Sequence, residues 1–326
     1  MRLFLFLSSL ILVLVSCAPA AVPVSFSDAV QAPAPRLPGM TSSNFITLQG
    51  ERVYYESGGN QGTPVVLVHG IGAGNSSHLW ANNSRVLSKS HRVYAFDWPG
   101  FARSGARAKL YTNDLYVAIL KDFIREVIGE PVNAIGGSLG ADYIIRVAAE
   151  NPELITRMLL SNPAGYDALE PENREGRAFV TSDSARNENF YNLLTTSVVG
   201  TLIYDVIDSP TGIDLFLLNA VYLDSSLVTP EVTQIYLDNL EGDNKAYAPF
   251  SFFAGYLEQS VVEFWPKTTQ PSLLVWGSDD VFTPIRFSEP FLELRPEVEL
   301  EVLNARAIPY EEASEAFNAL ALKFLK

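Results

Sequence analysis

Short apolar runs closed by glycine or proline alternate with helical patterns through most of this chain. PVVLVHG (64–70), RVYAFDWPG (92–100), VNAIGG (132–137), RMLLSNP (157–163) and SLLVWG (272–277) have the length and branched content of buried strands, and VELEVL (298–303) completes the set. NFITLQGERVYYES (44–57) alternates with period two and turns at Gln49-Gly50, which predicts a β-hairpin. DLYVAILKDFIREVIG (114–129) carries apolar residues at helical spacing, with Gly129 placed to end it. The segment 310–325 also reads as a helix. Buried strands alternating with helices predict an α/β fold, a mostly parallel central sheet covered on both faces. This core is expected over 41–164 and 266–326. Between them the alternation breaks. Residues 165–265 are aromatic and helical in pattern (NFYNLLTTSVVGTLIYDVI; LFLLNAVYL), which predicts an inserted, mainly helical cap. Its Phe and Tyr are expected chiefly to pack, with some lining an apolar pocket beneath.

The N-terminus follows another logic. Arg2 precedes LFLFLSSLILVLVS (3–16), too short for a comfortable membrane span but suited to the apolar region of a signal peptide. Cys17 comes next and is the only cysteine, so no disulfide can form within the chain. Leu14-Val15-Ser16-Cys17 resembles a bacterial lipobox. That resemblance implies a signal peptide over 1–16, a diacylated Cys17, and lipid anchorage outside the cytoplasm in the bacterial cell envelope. Residues 17–40 are rich in Ala and Pro, which favours extended polyproline geometry and reads as a tether.

The 326 residues suffice for one large domain with an insertion. A net charge of -14 repels phosphate backbones and argues against nucleic acid as a partner. The chain has no GxxxxGK[ST] loop and no Cys/His cluster at metal-ligand spacing, so neither a metal nor an organic cofactor is expected.

Three stretches carry candidate chemistry. Gly136-Gly137-Ser138-Leu139-Gly140 is a G-x-S-x-G pattern between an expected strand and an expected helix, which would hold Ser138 at the tip of a sharp turn. His69-Gly70-Ile71-Gly72 follows the strand VVLV and offers backbone N–H groups at a turn. WGSDDVFTP (276–284) places carboxylates just past a buried strand. With DWPGFARS (97–104), these motifs resemble the α/β-hydrolase fold family of serine hydrolases from about residue 44 to 326.

The resemblance implies roles. Ser138 would be the nucleophile, the Ile71 and Leu139 amides the oxyanion hole, and Asp280 the triad acid, with Asp279 the alternative. Asp97 and Ser104 match a structural loop, in which Ala102 replaces the family's usual second glycine. The family order is Ser, acid, His. Aligning Glu312, Ser314 and Phe317 with the family's last helix puts Arg306 at its glycine and Ala307 at its histidine. The chain has three histidines, His69, His78 and His91, and all precede Ser138. The triad base is missing, and losing it elsewhere costs about 10⁶-fold in kcat. His78 and His69 are the candidate substitute bases, with Glu311 and Glu312 near the vacated position.

Three functions follow as expectations. The first is weak or unconventional hydrolysis of carboxylic esters by Ser138 in an envelope-anchored protein. The second is non-catalytic binding of a small apolar acyl or ester-like ligand. The third is an interaction module of the envelope.

Overall fold

The computed structural model describes residues 32–165 and 186–326. The expected signal peptide, Cys17, the tether up to residue 31, and residues 166–185 of the expected cap lie outside that range.

The strands are β1 (Ser42–Leu48), β2 (Glu51–Gly58), β3 (Pro64–Val68), β4 (Arg92–Phe96), β5 (Val132–Gly137), β6 (Ile155–Ser161), β7 (Ser272–Gly277) and β8 (Glu299–Leu303). They form an eight-stranded sheet in the order β1-β2-β4-β3-β5-β6-β7-β8. β1 and β2 make the expected hairpin, with Gln49 and Gly50 at positive φ in its turn. β2 also pairs antiparallel with β4, and all later pairings are parallel.

The period-two alternation sorts strand side chains between two cores. Val66, Val68, Ala134 and Leu274 pack on one face with α2 (Asn113–Asp122) and α3 (Leu139–Glu150). Val65, Leu67, Ile135 and Leu273 face the other way, towards α1 (Ala81–Leu87) and the C-terminal helices. Such strands are apolar on both sides, which is why they read as continuous runs.

Two expected helices differ in detail. The helix over 114–129 is α2 followed by a π-helical turn at Phe123–Ile128, closed by Gly129 in the left-handed region. The C-terminal helix is broken at Ala313 into α10 (Pro309–Glu312) and α11 (Ser314–Phe324).

Within 165–265 the described part is helical: α4 (Glu188–Thr196), α5 (Val198–Ile207), α6 (Pro210–Phe216), α7 (Pro230–Leu240) and α8 (Tyr247–Phe253). Side-chain caps from Asn187, Ser209 and Thr229 start three of them. Tyr191, Tyr222, Tyr236 and Phe250 are buried, so these aromatics pack rather than line an open surface. After β7 the chain forms α9 (Glu289–Leu294) before β8.

Candidate active site

β5, β3 and β7 end on the same side of the sheet, which collects the three motif stretches. Ser138 links β5 to α3 at φ 51°, ψ -130°, a strained conformation for a residue with a side chain. Its N–H donates to the Ser161 carbonyl at 2.8 Å, which secures the turn to β6. A Cβ on Gly70 would lie 3.0 Å from the Ser138 Cβ, so the turn after β3 abuts the serine. A Cβ on Gly137 would lie 2.6 Å from the Tyr310 ring, so only glycine lets that phenol lie against the elbow. Among the described residues, the Ile71 and Leu139 amides donate to no protein acceptor and the Ser138 hydroxyl has no hydrogen-bond partner.

Asp280 is buried in the loop after β7. Its Oδ1 accepts from the amides of Phe282 (2.8 Å) and Thr283 (3.1 Å). Its Oδ2 accepts from the Thr283 hydroxyl (2.6 Å) and from the Asn162 side-chain amide. A carboxylate offers about four acceptor sites, and here four donors from the protein take them. Asn162 sits at φ 47° just past β6, and its Oδ1 accepts from Gly277 N–H at 3.2 Å. Sequence reasoning missed Asn162; its one signal was a polar residue directly after an apolar strand. Asp279 is exposed and accepts from the Ser278 hydroxyl instead.

Ala307 lies between β8 and α10, and its N–H donates to the Val221 carbonyl at 3.1 Å. Arg306 is held beside it: its N–H donates to Glu312 (2.8 Å) and its guanidinium to the Leu218 carbonyl (3.0 Å). Chain from the cap thus lies against the position that the resemblance assigns to histidine.

Among the described residues, no histidine hydrogen-bonds to Ser138. His69 is fully buried. Its Nε2 accepts the Trp98 N–H at 3.2 Å, so the ring proton sits on Nδ1 and donates to Gly70 O at 2.8 Å. Burial lowers its pKa, and a second ring proton would point at the Trp98 amide. His78 has Nδ1 at 2.8 Å from Ser76 Oγ and 3.3 Å from Asn239 Nδ2, while its Nε2 is buried with no hydrogen-bond partner among the described residues. Burial, with Arg36 nearby, pushes its pKa down to about 3, so it stays neutral at physiological pH. His91 precedes β4, at the opposite end of the sheet from Ser138, and contacts Thr63 O. Tyr310 is no base either. Burial, with Glu311 and Asp280 close by, raises its pKa well above the usual phenol range.

Glu311 differs. Its Oε1 accepts from the Tyr222 hydroxyl at 2.7 Å, while Oε2 is buried with no partner among the described residues. Burial pushes its pKa up to about 7, against the pull of the Tyr222 hydrogen bond. The sign is set by proton binding: the folded chain holds this proton more tightly than the unfolded one. Stability should therefore fall as pH rises from about 4.5 to about 7, by roughly 1.4 kcal/mol per unit at most, then level off. Glu311→Gln should flatten that slope and raise the midpoint of urea unfolding at pH 8. An unchanged pH dependence would show that Glu311 ionises normally.

Asp97 and Ser104 serve structure. Asp97 accepts from the amides of Ser77 (2.8 Å) and Arg103 (3.1 Å), and the Ser104 hydroxyl donates to Asp97 O at 2.5 Å. Ala102, at φ 40°, adopts the conformation that explains the family's glycine there. Among the described residues, no group of three or more His, Cys, Asp or Glu is placed to hold a metal ion.

The family model described as alpha/beta hydrolase fold matches residues 63–312. The 2-hydroxy-6-oxononadienedioate/2-hydroxy-6-oxononatrienedioate hydrolase 1 of Dechloromonas aromatica is 25% identical over 292 residues, covering 84% of this chain and 90% of its own length. Hydrolase 2 of the same description from Pseudomonas putida is 27% identical over 299 residues, covering 88% of this chain and 97% of its own. Among solved structures, a serine hydrolase involved in carbazole degradation superposes with a TM-score of 0.68 at 23% identity, covering 87% of this chain and 98% of that one.

Proposed function

This chain belongs to the alpha/beta hydrolase fold family, and from that premise we propose that it binds a small apolar acyl or ester-like ligand beside Ser138 and hydrolyses it weakly or not at all. The observation that carries this reading is the Asp280 carboxylate, whose acceptor sites are taken by Phe282, Thr283 and Asn162. A serine triad needs that carboxylate to orient an imidazole, and the imidazole to take the serine proton. Here no histidine follows Ser138, both ring nitrogens of His69 are committed to Trp98 and Gly70, and His78, its pKa pushed down to about 3 by burial, makes no hydrogen bond to the serine. What remains is a serine at an elbow beside two amides without acceptors, a geometry that suits holding a carbonyl oxygen. The relatives' names, hydrolases of 2-hydroxy-6-oxo acids, fit a ligand with a carbonyl group. The anchoring reading belongs to the same proposal: Cys17, lipidated, would hold the domain at the bacterial envelope outside the cytoplasm.

Native mass spectrometry of the protein released gently from its membranes tests the binding half. The expected result is a retained small acyl compound that Leu139→Pro, which removes one amide donor, releases. A pocket that retains nothing from a lipid extract would overturn the binding reading. Palmitate labelling tests the anchor. It should disappear in Cys17→Ala, and labelling that persists would refute lipidation at that residue.

One observation favours a second reading. Glu311 stands on α10, four residues after Ala307, with Oε2 buried and without a partner among the described residues, and burial pushes its pKa up to about 7, the range in which a general base works best. If it activates Ser138, ester hydrolysis rises with pH through about 7 and vanishes in Glu311→Gln.

A further inference from the structure

The cap turns an apolar face to solvent. Val198, Leu202 and Val206 of α5 are 75%, 59% and 65% exposed. At about 100° per residue, these and Val199 span an arc of roughly 100° on the helix, with Thr201 and Asp205 along one edge. The other side of α5 packs on the protein: Gly200 is buried, and Ile203 and Tyr204 rest against Tyr191, Leu194 and Phe250. More apolar side chains are open to solvent on the helix that follows and touches α5: Leu215 on α6, and Leu218 in the π-helical turn just past it. Others stand in the loop of the candidate acid. Phe216 packs on Phe282 with ring centroids 6.2 Å apart, and Val281 and Phe282 are both about half exposed. So many large exposed apolar side chains on touching elements are uncommon on a soluble monomer and mark a contact site.

Two facts select its occupant. From 187 to 244 the chain has no Lys, Arg or His, while Asp205, Asp208 and Asp214 lie on α5, just beyond it and on α6. The helices of the face therefore carry no cation of their own, and Arg306, whose guanidinium donates to the Leu218 carbonyl, is the one described above at its edge. A surface so poor in cations does not suit nucleic acid or an acidic protein, and its chemistry suits hydrocarbon. The second fact is the length of chain outside the described residues. If Cys17 carries acyl chains, residues 18–31 span at most about 43 Å at ~3.1 Å per residue, about one domain width. The domain would then stay at high effective concentration beside a bilayer, where weak apolar contacts suffice. α4 and α5 meet at 82° and each buries part of its surface in the cap, so they suit lying on a membrane.

We infer that the apolar face of α5 and α6, continued by Val281 and Phe282, seats the domain on a lipid bilayer. This rests on the anchoring reading and deepens the ligand reading. It turns the end of the sheet that carries Ser138 and Asp280 towards the membrane, so the ligand is an acyl compound drawn from the lipid phase. Because α5 and α6 carry no Lys, Arg or His, binding should depend little on salt and should not need anionic lipid.

The test uses the full chain in phosphatidylcholine vesicles, with an environment-sensitive fluorophore on Leu202→Cys, Val206→Cys or Leu215→Cys, and on Lys89→Cys as control. The unsubstituted protein reports any labelling of Cys17. The expected result is blue-shifted emission, quenched by doxyl-labelled lipid, at the three cap positions and not at 89. The double variant Leu202→Glu/Val206→Glu should lose that quenching with its melting temperature unchanged. If the protein resists carbonate extraction yet the cap probes stay in water, the anchor stands and the docking face is wrong. If carbonate extracts it, the anchor fails, and flotation with the vesicles decides the face: about tenfold less bound double variant supports it, and no flotation of the parent overturns it. A blue shift without doxyl quenching would mean that a second copy covers the face, which also overturns the inference.

Discussion

A fluorophosphonate probe is expected to leave Ser138 unlabelled in the folded protein, while a complete serine hydrolase treated in parallel labels fully. The probe reads activation of the nucleophile and needs no knowledge of the natural ligand. Loss of the base from a working triad lowers kcat by about 10⁶-fold, so the contrast should be large. Restoring an imidazole should not suffice. Ala307→His supplies the ring, but Asp280 already accepts from four protein donors and has no site left for it. Adding Thr283→Ala removes the hydroxyl from Oδ2 and opens one acceptor. Esterase activity is therefore expected to rise in the double variant and to stay near background in Ala307→His alone, with Arg306→Gly available to relax the turn. Ser138-dependent labelling of the unaltered protein would overturn this reading. If that labelling disappeared in Glu311→Gln, the buried carboxyl would be the base.

Asp280→Ala is expected to unfold the protein far more readily, by about 3–5 kcal/mol, with a fall in Tm on the order of 10 °C. The substitution strands the Thr283 amide and hydroxyl at a buried site, removes the partly buried acceptor of the Phe282 amide, and leaves the Asn162 amide only a long contact of 3.4 Å to the Arg306 carbonyl. Unpaired buried donors lose their hydrogen bonds without regaining water. In a working triad the acid is judged by rate; here it should be judged by stability. Asn162→Ala should reproduce part of the loss, because it removes one donor to Asp280 and the acceptor for Gly277 N–H. Differential scanning calorimetry checks both. A Tm for Asp280→Ala within a degree or two of the parent would mean that the loop relaxes and that its hydrogen bonds contribute little.

Much of the architecture was legible because buried parallel strands must be apolar on both faces. VVLV and SLLVW could be read as core strands for that reason alone. The elbow was legible because a glycine-flanked serine between a strand and a helix has few other conformations. The helix breaks were harder to read. The π-helical turn at Phe123–Ile128 and the break at Ala313 keep the apolar period nearly intact, so the pattern does not register them. The open face of α5 was masked differently. VVGTLIYDVI is apolar nearly all round, which predicts burial on every side, yet only one side is covered.

The sequence by itself determined that no imidazole follows Ser138, since no folding can supply a residue that the chain lacks. It also determined the layered α/β order, because the period of apolar residues dictates which element can bury them. Only the tertiary structure decided what Asp280 does. Its partner Asn162 is 118 residues away, and whether a carboxylate has a free lone pair depends on which distant donors the fold brings to it. The tertiary structure likewise decided that His69 and His78 are neutral and that the cap leaves α5 half open. Burial and hydrogen-bond saturation are properties of surroundings, and the linear order of residues does not contain them.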